Sequence, residues 1–242
     1  MSGFTPFPET RWTAIRALKS DDSAARQLGW DVVARLYWRP VESYVRLKWR
    51  ATEPDASDAT QSFFAYVLER DTLAKFDPDK ARFRTFLRTC LERFLINEHN
   101  AQTAQKRGGG MVTSLETAGA DGAALDPADP EQLDELFERE WRHSLFAAAI
   151  AEIESLCTTD TARLQFALFR RYDVERGAAE KLTYDDLARE FNLSVTAVTN
   201  HLHAIRVKVR LALLEKLRSI TASEAEFLEE SYALFGARGG AR

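Results

Sequence analysis

Apolar side chains recur every three or four residues along most of the chain, which is the period of an amphipathic helix. The stretch Trp30–Trp49 follows this period, and Pro40 inside it predicts a kink or a restart of the helix. A second helix is predicted from near Asp55–Asp58 to Arg70, and a third from Phe83 onwards. The pattern therefore favours an all-α fold.

The helical pattern fails between residues 108 and 130, which are rich in Gly, Ala, Asp and Pro and follow the run Lys106-Arg107-Gly108-Gly109-Gly110. Such a composition is typical of a flexible linker. Amphipathic stretches resume near Pro130. We predict two helical domains, residues 1–107 and 131–242, joined by a flexible acidic linker at 108–130.

Charge is distributed unevenly along the chain. The 242 residues carry 33 Lys and Arg against 37 Asp and Glu, a formal net charge of −4. Arg82–Arg107 has a local net charge of +4 and Lys181–Arg218 one of +3, whereas Glu116–Asp160 has one of −10. Because two basic lobes flank an acidic middle, the overall charge does not exclude binding to nucleic acid.

The sharpest motif is a predicted helix-turn-helix at residues 182–206. Thr183 and Asp186 have the spacing of a capping box, Asn192 stands where the turn needs a left-handed residue, and Ser194 can cap the second helix. That helix is predicted to bury Val195, Val198, Leu202, Ile205 and Val209. The side chains on the opposite side of this helix can hydrogen-bond base edges or phosphates in a major groove. They are Thr196, Thr199, Asn200, His203, Arg206 and Arg210. The alternative is a helical hairpin in an ordinary bundle.

The helix that begins at Phe83 carries a second candidate surface. Its aromatic stripe is core by default, whereas its polar face presents Arg88, Arg93, Asn97 and Asn100 at successive turns. Guanidinium and amide groups in such a row can read exposed bases and follow a single strand. A solvated face without a ligand is the alternative.

The sequence offers no candidate for catalysis, a metal or a cofactor. Asp55 and Asp58 are explained as partners of a helix N-terminus, and His201 and His203 are two apart rather than three or four. No nucleophile, phosphate-loop or dinucleotide motif is present. Because no catalytic constellation converges, we predict a non-enzymatic protein. The lone cysteines and the lack of an export signal or membrane span predict a location in the cytoplasm.

Taken in order, these motifs give the chain a resemblance to the extracytoplasmic-function (ECF) sigma factors of bacterial RNA polymerase. The stretch from Asp55 to Arg70 resembles the region 2 helix that docks on the polymerase clamp, and Phe76–Leu87 resembles the segment that opens the −10 element. The helix-turn-helix resembles region 4, which reads the −35 element. Four short stretches resemble a subgroup of large factors with an N-terminal extension: Thr10–Trp12, Tyr37–Val41, Thr60–Phe64 and Lys106–Gly110.

The resemblance implies a promoter-specificity subunit that binds core RNA polymerase and promoter DNA and initiates transcription. It implies a polymerase-binding surface at Asp55, Asp58, Gln61, Phe64 and Leu68. It implies that the −10 element is bound by Phe83, Phe86, Arg88, Arg93, Asn97 and Asn100. It also assigns the −35 element to Thr196, Thr199, Asn200, His203, Arg206 and Arg210. Two alternatives stay open: a helix-turn-helix regulator that acts without polymerase, and a polymerase-docking protein that does not open DNA.

The chain departs from the family pattern at Ser57, where such factors often carry an acidic or amide side chain. One hypothesis is that phosphorylation of Ser57, or of Thr60 or Ser62 nearby, restores negative charge to the docking surface. A neutral helix-capping role is the simpler explanation. Candidate regulatory partners are therefore a kinase or an anti-sigma factor, and the amphipathic tail Glu224–Phe235 is predicted either to pack on region 4 or to bind a partner.

Overall fold

The computed structural model describes residues 14–108, 129–175 and 182–236, without the side chains of residues 102–108. These residues form helices α1 (Ala14–Ala17), α2 (Ser23–Trp49), α3 (Glu53–Glu69), α4 (Phe83–Gly108), α5 (Pro130–Leu156), α6 (Asp160–Phe169), α7 (Tyr184–Glu190), α8 (Val195–Ser219) and α9 (Glu224–Phe235). A 3-10 turn at Thr72–Lys75 and a π-helical turn at Arg170–Val174 complete the elements. No strand occurs among the described residues, which confirms the all-α prediction.

The described residues form two compact units. The first contains the residues up to Arg142 together with Ile220–Glu226, and the second contains the described part of His143–Ser219 and the residues from Phe227. The predicted linker at 108–130 lies almost entirely outside the described residues. The domain boundaries at 107 and 131 stay predictions, although Pro130–Arg142 groups with the first unit rather than the second.

Helices α1 and α2 pack closely in the first unit because Gly29 has no side chain. A Cβ atom at that position would lie 2.7 Å from the backbone oxygen of Ala14 and 3.1 Å from the Cβ atom of Ala17. Further along, α2 runs through the buried Pro40 as one helix, so the helix does not restart there.

An aromatic cluster forms the core of the first unit. The Phe83 ring lies 5.6 Å from the Tyr37 ring and 5.2 Å from the Phe76 ring. Phe137 of α5 joins the cluster, with its ring 6.2 Å from that of Tyr44. Since Phe137 and the neighbouring Trp141 are both 2% exposed, Pro130–Arg142 is part of this core.

The second unit is built around α8, whose apolar stripe packs on α6 and α7. Leu168 of α6, Leu187 of α7 and Leu202 of α8 are fully buried. Ala149 and Ile153 add apolar surface from the C-terminal half of α5. This packing leaves the opposite side of α8 uncovered near its N-terminus. No helix of the described residues is long and apolar enough to cross a membrane.

Candidate nucleic-acid interface

The turn between α7 and α8 has the local chemistry that the sequence predicts. The amide of Asp186 donates to Thr183 Oγ1 over 3.2 Å, and the amide of Thr183 donates to an Asp186 carboxylate oxygen over 2.9 Å, which confirms the capping box. The Thr183 hydroxyl also donates to this carboxylate over 2.6 Å, and it lowers the pKa of Asp186 below its usual range together with the Thr183 amide. Asn192 has a φ of 53°, and Ser194 Oγ accepts from the amide of Ala197 over 3.1 Å. All four predicted capping and turn roles are confirmed.

The apolar stripe of α8 begins one turn later than predicted. Val198, Leu202 and Ile205 are fully buried and Val209 is 6% exposed. Val195 is 39% exposed, so its predicted place in the buried stripe is wrong. As the first residue of α8, it precedes the turn on which the helix enters the core.

The opposite side of α8 exposes four of the six predicted side chains. They share a polar character and solvent access within the first turns of the helix, and are Thr196, Thr199, Asn200 and His203. The Thr199 hydroxyl donates to the backbone oxygen of Val195 over 2.9 Å, which fixes its rotamer. This face is compatible with entry into a major groove.

The remaining two predicted side chains on α8 are engaged by the protein itself. Arg206 donates from Nε and Nη2 to the Asp173 carboxylate, each over 2.9 Å, and from Nη1 to the Tyr184 hydroxyl over 3.0 Å. Asp173 raises the pKa of Arg206 above its usual value. The Arg210 guanidinium lies 4.7 Å from the centre of the Phe235 ring. The sequence pattern does not identify Asp173, because it lies on another element. Phe235 belongs to the tail that is predicted either to pack on region 4 or to bind a partner, and here its ring meets α8.

The side chains of α4 that are predicted to bind the −10 element differ in their exposure to solvent. Phe83 is fully buried among Tyr37 and Phe76, so its predicted place on the binding side is wrong. Phe86 is half-buried against Phe76, with ring centres 5.4 Å apart. Arg93, Asn97 and Asn100 are exposed along the later turns of α4 and form a continuous polar row.

Acidic residues of α5 occupy the basic side of α4 within the first unit. Arg88 forms an ion pair with Asp134, and Arg84 forms one with Glu138. The Arg84 guanidinium also lies 4.6 Å from the centre of the Trp141 ring. Arg88 is therefore committed to a protein partner, whereas the sequence pattern predicts it on a solvent-facing row.

The docking surface predicted on α3 is only partly exposed. The helix begins at Glu53, before the predicted start, because Thr52 caps it by accepting from the amide of Asp55 over 3.4 Å. The side chains that reach solvent are Asp55, Asp58, Gln61 and Leu68, the last 52% exposed. Phe64 is instead buried and stacks on Trp38, with ring centres 5.6 Å apart.

The three hydroxyls considered for phosphorylation differ in access. Thr60 is fully buried and donates to the backbone oxygen of Ala56 over 2.7 Å. A kinase cannot reach this hydroxyl in the folded chain, so the prediction for Thr60 is wrong. Ser57 is half-buried and Ser62 is exposed.

No group of three or more His, Cys, Asp or Glu side chains suited to a metal ion occurs in the part of the chain that the structure describes. The candidate surfaces described above carry hydrogen-bonding, cationic and aromatic side chains, a set of groups that can contact nucleic acid.

Comparison with known protein families identifies the family of this chain. A family model described as ECF sigma factor matches residues 13–215. No curated protein and no solved structure matches the chain. The family match spans the core of both units and every candidate surface described above. The chain therefore belongs to the ECF sigma factor family.

Proposed function

We propose that this sigma factor divides promoter recognition between the exposed face of α8 and the polar row of α4. As an ECF sigma factor, the chain binds core RNA polymerase and promoter DNA and directs promoter-specific initiation of transcription. The observation that carries the proposal is the capped helix-turn-helix, which leaves Asn200 and His203 exposed.

The α8 face reads the −35 element as duplex DNA. Asn200 and His203 extend from adjacent turns, and amide and imidazole groups can hydrogen-bond base edges in the major groove. Thr196 and Thr199 flank them and supply hydroxyl and methyl contacts. Four short polar side chains give few phosphate contacts, so this face contributes sequence discrimination more than affinity.

The α4 row binds the opened −10 element as a single strand. Arg93, Asn97 and Asn100 are exposed at successive turns, which suits a strand that runs along the helix. Phe86 borders this row and offers a ring edge for stacking. Phe83 supports the row from the core instead of contacting DNA.

The exposed residues of α3 dock on the polymerase. Asp55 and Asp58 place negative charge on the first turns of the helix, and Leu68 adds an apolar contact at its other end. An apolar contact beside solvent-accessible charges is the arrangement of a protein–protein interface with an apolar core and a polar rim. Phe64 contributes by holding α3 on α2 through Trp38.

The chain takes no catalytic role in this account, because the chemistry of RNA synthesis belongs to the core polymerase. The proposed location is the cytoplasm, where that polymerase acts. An anti-sigma factor, or a kinase that modifies Ser57 or Ser62, remains a candidate regulator.

Reconstitution with core polymerase tests the proposal. Transcripts made from genomic fragments are mapped at their 5′ ends to identify the promoter, and the Asn200→Ala and Asn97→Ala variants are then compared on it. We expect Asn200→Ala to reduce discrimination at the −35 element, and Asn97→Ala to reduce opening without changing that discrimination. Thr161→Ala, at an exposed position of α6, is the matched control and should change neither. Duplex binding without core binding, or core binding without promoter-dependent transcripts, would contradict the proposal and support one of the two alternatives.

A further inference from the structure

Arg206 is tied to two elements that precede α8 in the chain. Asp173 belongs to the π-helical turn Arg170–Val174, and Tyr184 is the first residue of α7. The Arg206 guanidinium meets both, through two hydrogen bonds to Asp173 and one to Tyr184. We propose that Arg206 is a positioning residue that fixes the rotation of α8 in the helix-turn-helix, and that it does not contact the −35 element. This inference rests on the proposed reading of that element by α8.

The geometry of the guanidinium leaves it poorly suited to reading a base. Recognition of guanine by arginine uses two N–H groups on one edge of the fork. In Arg206 the edge formed by Nε and Nη2 is already occupied by both oxygens of Asp173. The third bond, from Nη1 to Tyr184, engages the other side of the fork, so three of the five N–H donors are already used within the protein.

Two tyrosines lie beside the Arg206 guanidinium. The Tyr172 ring centre lies 5.5 Å from the Arg206 guanidinium carbon, and the Tyr172 and Tyr184 rings meet at 5.1 Å and 63°. Planar guanidinium groups stack favourably on such rings. The bidentate carboxylate, the Tyr184 hydroxyl and the Tyr172 ring together favour one orientation of the side chain.

The π-helical turn has a specific part in this arrangement. The amide of Glu175 donates to the backbone oxygen of Arg170 over 2.8 Å, a bond that spans five residues. Such turns are rare and insert an extra residue into a helical path. Here the turn carries Asp173, which reaches α8 at Arg206.

The position of Arg206 along α8 explains why this tie matters. His203 lies one turn before Arg206, and Asn200 lies one turn before His203. Rotation of α8 about its axis would move both exposed side chains together. The contacts of Arg206 with Asp173 and Tyr184 therefore determine the direction in which Asn200 and His203 point.

Exchange of the two charges tests the proposal in the holoenzyme. The variants are Asp173→Asn, Asp173→Arg, Arg206→Asp and the double variant Asp173→Arg with Arg206→Asp. The readout is the ratio of affinities for duplex DNA with the cognate and with a scrambled −35 element, together with the salt dependence of binding. We expect each single variant to lower the ratio roughly tenfold, and the double variant to recover most of it, because a reversed pair restores the tie. The salt slope of Asp173→Asn should equal that of the unaltered chain, since this variant binds no additional phosphate.

Two results would overturn the proposal. If Asp173→Asn binds both DNA sequences more tightly and with a steeper salt slope, Arg206 is a DNA contact that Asp173 restrains. If the double variant is no better than the single variants, the pair does not act as a tie. Charge reversal of the exposed pair Asp160 and Arg163 on α6 is the matched control and should leave the ratio unchanged.

Asn200→Ala separates this inference from the proposed function. An unchanged ratio in that variant would mean that α8 does not read the −35 element. The urea midpoints of Asp173→Asn, Arg206→Gln and the double variant that combines these two substitutions would then decide the role of Arg206. A coupling free energy of unfolding larger than that of the Asp160 and Arg163 pair supports the positioning role of Arg206. Effects of the two substitutions that simply add would overturn it.

Discussion

Asp134 on α5 forms an ion pair with Arg88 on α4, across a gap of 46 positions in the sequence. Glu138, one turn later on α5, forms a second pair with Arg84, one turn earlier on α4. Two arginines of the basic lobe are thereby neutralised within the first unit. The basic lobe that favours nucleic-acid binding in the sequence is consequently less basic in the folded chain.

Removal of these carboxylates should strengthen binding to single-stranded DNA. In the double variant Asp134→Asn with Glu138→Gln, Arg84 and Arg88 lose the carboxylates that neutralise their charge, so the positive charge of α4 is no longer offset by α5. We expect tighter binding of the free chain to a −10 oligonucleotide, with a salt slope steeper by about 0.7 for each additional phosphate that is bound. Fluorescence anisotropy over a range of salt concentrations measures both.

Glu135→Gln, at an exposed position of α5, is the control for lost negative charge and should have a smaller effect. Equal effects of the control and the double variant would show that general charge, rather than release of these arginines, determines the affinity.

Truncation of Phe137 should destabilise the first unit. Phe137 is 2% exposed and packs against Tyr37 and Tyr44, so Phe137→Ala leaves a cavity in the aromatic core. The expected loss in free energy of unfolding is about 3–5 kcal/mol. Urea denaturation followed by fluorescence measures it, with Phe146→Ala on the same helix as the control, since Phe146 is 38% exposed. A similar loss in both variants would refute the assignment of Phe137 to the core.

A side chain at Gly29 should separate α1 from α2. In Gly29→Ala the added Cβ atom would lie 2.7 Å from the oxygen of Ala14, a backbone atom that cannot move without shifting α1. We expect a loss of roughly 1–3 kcal/mol in the free energy of unfolding. Ala24→Ser, near the exposed start of α2, is the matched control. Unaltered stability in Gly29→Ala would mean that α1 is free to move away.

The capping box should make the second unit sensitive to acid. Because the folded chain lowers the pKa of Asp186, its carboxylate stabilises the fold above the unfolded pKa of about 3.9, and this contribution is lost as the pH falls through the lower folded value. The melting temperature of the unaltered chain should therefore exceed that of Asp186→Asn at about pH 7, and the difference should shrink below about pH 4. Asp185→Asn, at the exposed neighbouring position, is the control for the loss of one negative charge from α7. A difference that stays constant with pH would contradict the assigned role of the carboxylate.

Local features of the fold could be predicted from the sequence, whereas contacts between distant elements could not. Thr183, Asn192 and Ser194 act on residues within four positions of themselves, so their roles follow from residue type and spacing. The partners of Arg88 and Arg206 come from other helices, and nothing in a helical period identifies them. Phe137 is a further example. The helical period predicts that its side of α5 is buried, but not that it packs in the first unit.

Site-specific cross-linking in the holoenzyme tests the central claim most directly. A photoreactive amino acid replaces Asn200 or Asn97, and the holoenzyme is bound to a promoter labelled separately at the −35 and −10 elements. We predict that position 200 cross-links to the −35 duplex and position 97 to the non-template strand of the −10 element. Cross-links from position 200 to the −10 element, or from neither position to promoter DNA in a complex that still initiates transcription, would contradict the account.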